Sequence, residues 1–141
     1  MIINVSKVDT WKAPVEDRPG GVSSKLEGLA KAGADLEFVI ARRSSSRPNM
    51  GVLFVTPLVG EAQVNAAIRL GFEKSKSLHA VRVEGPDEPG MAFLITRALA
   101  AEGINLRGFS AGRLGSRFIG YWAFDSVADA DRAINRINRP L

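Results

Sequence analysis

The sequence predicts an α+β chain made of two copies of one βαββαβ unit. Three observations carry this. The stretch "DRPGGVSSKLEGLAKAGADL" (Asp17 to Leu36) has a near copy in "DEPGMAFLITRALAAEGINL" (Asp87 to Leu106). Asp17, Pro19, Gly20, Gly33 and Arg43 each recur 70 residues later, as Asp87, Pro89, Gly90, Gly103 and Arg113. Hydrophobic periodicity then switches between strand and helix spacing in the same order in both halves. Further on the match drifts, with Gly51 aligned on Gly120 and Ile68 on Ile134.

In the first copy, Val5 to Ala13 reads as a strand rich in β-formers. D-x-P-G follows: Asp17 suits a helix cap, Pro19 a first turn, and Gly20 a close backbone approach. The next run places Val22, Leu26, Leu29 and Ala30 on one helical stripe, and Gly33 ends it. "ADLEFVIARR" alternates as a strand, "RSSSRPN" is a loop, and "MGVLFVT" closes a hairpin before Pro57. "GEAQVNAAIRLG" is a second helix with Val64, Ala67 and Ile68 inward. "FEKSKSL" is a short, polar last strand.

The second copy repeats the order. His79 to Glu84 is a strand, and Met91, Ile95, Ala98 and Leu99 stripe a helix. Ile104 to Ala111 and Phe118 to Phe124 form a hairpin. Ser126 and Asp129 make a capping box for a helix with Val127, Ala130, Ile134 and Ile137 inward. Little chain is left for a fourth strand: either "NRPL" is its stub or the second unit lacks it. A βαββαβ order predicts a ferredoxin-like antiparallel sheet with two helices on one face. The expected domains are 1–77 and 78–141, packed as a pseudo-dimer, because units of about 70 residues are marginal alone.

Composition excludes several function classes. There is no cysteine and one histidine, His79, so thiol nucleophiles, Cys-type metal sites and His triads fall away. No P-loop, dinucleotide fingerprint or zinc motif occurs. Asp87 and Glu88 are adjacent but have no His, Lys or metal partner in the motif, so an enzyme is not expected, nor a metal or cofactor. No run approaches a membrane helix. The start, "MIINVSKVDTWK", lacks the basic and apolar character of a signal peptide, so a soluble, cytoplasmic protein is expected. Nineteen basic against fifteen acidic residues, net +4, is a mild excess that permits an acidic partner.

A strand running into D-x-P-G and a helix presents unpaired N–H groups that suit a carboxylate or phosphate. Asp17 in one copy, and Asp87 with Glu88 in the other, favour a cation instead. A zwitterion such as a free amino acid satisfies both demands. Asp35 and Asn105 each follow the loop acid by 18 residues, and a helix running back antiparallel carries them to the far end of the unit. They would then meet the loop of a neighbouring unit, which points to interface sites.

These two stretches resemble the opening of an ACT domain, [DN]-x-P-G, an amphipathic helix, Gly, and an apolar-Asn-apolar triplet. The resemblance covers most of the chain as two tandem copies, and the family fold is the βαββαβ order read above. It implies a small regulatory sensor that binds an amino acid or similar metabolite at domain interfaces and acts on an enzyme, a transporter or transcription. Carried over by position, it implicates Asp17, Pro19, Gly20 and Asp35, and Asp87, Pro89, Gly90 and Asn105. Arg18, Gly21, Glu88 and Met91 adjoin them as candidate ligand-binding residues. Asn105 keeps the family amide and Asp35 departs from it. Val15 and Gly85 stand where some members carry a ligating His.

The hairpin tips are basic: Arg42, Arg43 and Arg47 in one copy, Arg113 and Arg117 in the other. They give the lesser reading, a nucleic-acid or protein-interaction module. Phe118, Trp122 and Phe124 alternate onto one strand face opposite Tyr121, a pattern for core packing more than for stacked bases. A missing last strand would leave an open sheet edge, so a homodimer is expected.

Overall fold

The computed structural model describes residues 3–141. Its elements in chain order are β1 (Asn4–Val8), β2 (Trp11–Glu16), α1 (Gly21–Lys31), β3 (Phe38–Arg43), β4 (Met50–Thr56), α2 (Gly60–Arg69) and β5 (Glu73–Lys74), then β6 (His79–Pro86), α3 (Met91–Ala101), β7 (Gly108–Leu114), β8 (Arg117–Phe124) and α4 (Val127–Ile137). They form two antiparallel four-stranded sheets, ordered β3-β4-β2-β5 and β1-β6-β8-β7. The predicted ferredoxin-like α+β architecture is present twice.

The first unit is Asp9–Ser75. Trp11, Ala13 and Val15 alternate on β2, pair with Val55, Leu53 and Gly51 of β4, and bury against Leu29 of α1 and Ala67 of α2. Ala30 and Ile68, expected inward, are exposed. Leu29 and the Ala66–Ala67 pair fill the space instead. Residues 73–74 supply the short last strand, paired with Trp11 and Lys12.

The second unit joins Asn4–Val8 to Lys76–Leu141, which corrects the expected boundaries of 1–77 and 78–141 at the N-terminus. The strand expected over Val5 to Ala13 is two strands. Val5 pairs with Val83 of β6 and packs on the second core, whereas Trp11 faces the first. The break falls at Asp9 and Thr10, whose carbonyls accept from Thr56 Oγ1 at 2.9 Å and the Ser75 amide at 2.8 Å. β1 therefore occupies the place of the missing fourth strand, "NRPL" adds no strand, and the edge of β6 is covered. The open edge from which a homodimer was expected is absent. The α3 stripe of Met91, Ile95, Ala98 and Leu99 is buried as expected, and Ser126 Oγ accepts from the Asp129 amide at 3.0 Å. Val127, expected inward, is exposed.

The two cores are filled differently on one ladder. Val15 faces Gly51 in the first unit, and Gly85 faces Phe118 in the second. Large and small have changed places across the same pair. Two rungs on, Leu53 and Val55 correspond to Gly120 and Trp122, so Gly120 answers to Leu53 and not to Gly51. The Trp122 ring lies over Gly120, where an added Cβ would meet it at 2.0 Å. Phe118, Trp122 and Phe124 are buried on the helix-facing side, as their alternation predicts, with Phe109 stacked on Trp122 at 5.4 Å.

Candidate functional site

β2 in the first unit and β6 in the second deliver the D-x-P-G loop to one end of the sheet. The β3–β4 and β7–β8 hairpin tips lie at that same end. The Asp17 amide donates to the Asn49 carbonyl at 3.0 Å, and the Asp87 amide to the Ser116 carbonyl at 2.8 Å. The loop acids do not cap the helices. Gly20 and Gly90 are the N-cap residues, left-handed at φ 86° and 84°, with no side-chain cap. A residue with a Cβ is strained there, which explains the glycine at both positions. Close approach belongs to the next residue: a Cβ on Gly21 would sit 2.1 Å from the Glu16 carbonyl oxygen.

The helix starts leave donors free. Gly21 N–H bonds the Arg18 carbonyl, and Ser24 N–H the Gly20 carbonyl. Met91 and Leu94 repeat this with Glu88 and Gly90. Among the described residues, the amides of Gly20, Val22 and Ser23 meet no acceptor, nor do those of Gly90, Ala92 and Phe93. Unpaired donors at a helix N-terminus attract an anionic group.

The loop acids face arginines from the hairpins. Arg43 Nε lies 2.9 Å from Asp17 Oδ2, and Arg113 lies 3.9 Å from Asp87 Oδ2. The Asp17 side chain is 37% exposed and that of Asp87 19%, so the second carboxylate is more enclosed and more loosely held. Arg18 pairs with Glu16, which draws the Glu16 carboxyl below its ordinary range through a hydrogen bond and its charge. Glu84 gathers Arg82 and Arg117, each at 3.6 Å.

Of the candidate residues, Asp17, Arg18, Pro19, Gly20 and Gly21 assemble at one end of the first unit, and Asp87, Glu88, Pro89, Gly90 and Met91 at one end of the second. Asp35 and Asn105 stand apart. They precede Phe38, which pairs with Thr56, and Gly108, which pairs with Ala123; the loops adjoin the opposite ends of those ladders. Within a unit they do not meet the loop acid. Residue order assigns Arg43 and Arg113 to the hairpin tips, and the closed hairpins bring each to the loop acid of its own unit. Their shared offset of 70, the same as that of the loop acids, is the signal of that pairing in the sequence. No group of three or more His, Cys, Asp or Glu among the described residues could hold a metal.

Solved structures share this architecture. The chain is similar to protein BT0572 from Bacteroides thetaiotaomicron, with a TM-score of 0.78 at 13% identity over 94% of this chain and 90% of that one. It is also similar to the ligand-free regulatory subunit of aspartate kinase from Thermus thermophilus, with a TM-score of 0.60 at 14% identity over 95% of each chain. The fold is the tandem ACT fold. The chain is similar as well to part of aspartate kinase from Clostridium acetobutylicum, with a TM-score of 0.60 at 18% identity over 96% of this chain and 33% of that one. No protein-family model and no curated protein sequence matches the chain. No helix among the described residues is long and apolar enough to cross a membrane.

Proposed function

We propose that this chain is a non-catalytic, cytoplasmic sensor that binds an amino acid at its D-x-P-G ends and passes the signal to an enzyme or transporter. One observation carries the reading. In both units, acceptor-free helix-start amides stand beside an aspartate, so one small surface offers donors for a carboxylate and an acceptor for an ammonium. Open amides follow from any helix start capped by glycine. What singles out these two is the aspartate facing an arginine in the loop that leads into each.

The candidate residues take roles accordingly. The amides of Gly20, Val22 and Ser23, or of Gly90, Ala92 and Phe93, hold the carboxylate. Asp17 or Asp87 holds the ammonium. Pro19 and Pro89 set the bend, Arg18 and Glu88 line it, and Gly21 keeps the turn tight; Met91, a candidate from the sequence, turns its side chain into the second core and lines nothing. Asp35 and Asn105 enter as residues contributed by a second copy of the chain, in a homodimer. The likeness to a protein named as a regulatory subunit supports the regulatory part of this reading.

Calorimetric titration with each of the twenty amino acids tests it. A saturable signal from at least one, lost when Asp17 and Asp87 are both replaced by Asn, is expected. A folded sample giving no heat with any of them contradicts the reading. Sedimentation at high concentration showing only monomers removes the homodimer.

A further inference from the structure

We propose that Arg43 and Arg113 are ligand-binding residues, and that each Asp–Arg pair is a place-holder which opens to admit a zwitterion between its two charges. The proposal rests on the amino-acid reading above and adds the groups that read the ligand's charge pattern. Its basis is a repeated geometry. Asp17 with Arg43 and Asp87 with Arg113 recur 70 residues apart, and in both units the arginine reaches across from the hairpin to the loop that leads into the acceptor-free amides.

An α-amino acid carries the same two charges in reverse order to such a pair. Its ammonium replaces the guanidinium at the aspartate. Its carboxylate falls to the released guanidinium and the adjacent helix-start N–H groups. Every charge then trades an internal partner for one on the ligand, and none is left unpaired. The trade is easy because the pairs are weak. The Arg43 side chain is 85% exposed, and Arg113, 70% exposed, sits at 3.9 Å from its partner. Exposed ion pairs contribute little to folding. A permanent structural clamp would be buried and bidentate; these are neither.

The arrangement discriminates by charge. A lone amine must expel the arginine and leaves it without a partner. A lone carboxylate finds the arginine held by the aspartate. Only a molecule bearing both charges close together satisfies the opened pair.

The test compares glycine, glycinamide and acetate, which carry both charges, the cation alone and the anion alone. Each is titrated calorimetrically into the wild-type chain and into Arg43→Gln/Arg113→Gln. Glycine should bind the wild type best. In the variant, glycine should weaken about tenfold, the scale of one lost charge-assisted bond. Glycinamide should tighten, because its aspartate is no longer claimed. Opposite signs for the two probes are something a merely structural arginine does not produce. Arg43→Lys/Arg113→Lys should restore part of the glycine affinity. Wild type and variant binding both probes alike overturns the place-holder and leaves the amino-acid reading standing. A wild type that binds some other amino acid in the full screen but not glycine also overturns this inference alone. No amino acid binding at all overturns both.

Discussion

The two units share one ladder, one loop and one ion pair, but they are packed with different side chains. The first fills its core with Leu53 and Val55 and leaves Gly51 beneath Val15. The second puts Trp122 over Gly120 and Phe118 beside Gly85. The difference teaches which parts of the unit carry its identity. The interior tolerates exchange of volume between neighbours so long as the sum is kept. The loop does not vary in the same way: left-handed glycine, open amides and an Asp facing an Arg stand in both copies. Around that constant frame the side chains differ, with Gly21 and Ser23 in one unit and Met91 and Phe93 in the other. The same loop frame thus leads into a buried Gly21 and an exposed Ser23 in one unit, and into a core-buried Met91 and an exposed Phe93 in the other.

The core exchange gives the largest expected effects. Trp122→Ala should cost about 3–5 kcal/mol in denaturant unfolding, the range for deleting a buried large aromatic. Val55→Ala, its ladder equivalent, should cost clearly less. Equal losses would show that the two cores do not rest on the matched rungs. Gly120→Leu should lose roughly 1–3 kcal/mol by driving a side chain into the Trp122 ring. Combining it with Trp122→Val recreates the first unit's pair and should recover most of that loss. Failure to recover would mean the volumes are not interchangeable. Trp122 Nε1 is buried and has no hydrogen-bond partner among the described residues, so Trp122→Phe should cost far less than Trp122→Ala.

The N-terminal strand separates the units next. Val5→Asp places a charge on the apolar side of β1 and should cost about 2 kcal/mol. Hydrogen exchange should then quicken in β6 and leave β2 and β4 protected. Loss of protection in β2 instead would return β1 to the first unit.

At the sites the expected effects are smaller. Asp87 is held more loosely by its arginine than Asp17, so the second unit should bind the amino acid more tightly. Asp87→Asn should therefore reduce affinity more than Asp17→Asn in calorimetry, and the reverse order would contradict the comparison. The smallest effect belongs to a surface pair. Lys31, 2.9 Å away, lowers the Glu27 carboxyl through a hydrogen bond and its charge. A lowered carboxyl stabilises the fold above its unfolded pKa, and that stabilisation fades as pH falls through the folded value. Glu27→Gln should leave thermal stability at neutral pH nearly unchanged and slightly flatten its acid side.

Much of this was legible in residue order. The helices and hairpins followed from period and punctuation, because Gly33 and Gly103 stop the helices and alternation sets the buried face of β8. The destination of the first strand was not legible. Val5 and Trp11 look alike as β-formers, and no local signal shows that pairing with Val83, 78 positions on, sends one of them to a different sheet. Ile68 and Val127 misled for a related reason: a helical stripe has broad margins, and the facing strands decide which margin is covered. The loop acids are legible as charges, but within one copy their pairing is not. Arg43 is 26 residues from Asp17 in the chain, and only the closed hairpin brings them together.

Amides at the two helix starts are proposed to receive an amino acid. Amide-resolved nitrogen–proton spectra recorded while the chain is titrated with the twenty amino acids test it most directly. For the ligand that binds, saturable shifts should centre on Gly20, Val22 and Ser23, on Gly90, Ala92 and Phe93, or on both sets. Saturable binding that leaves all six unmoved, or no shift with any amino acid, contradicts the claim.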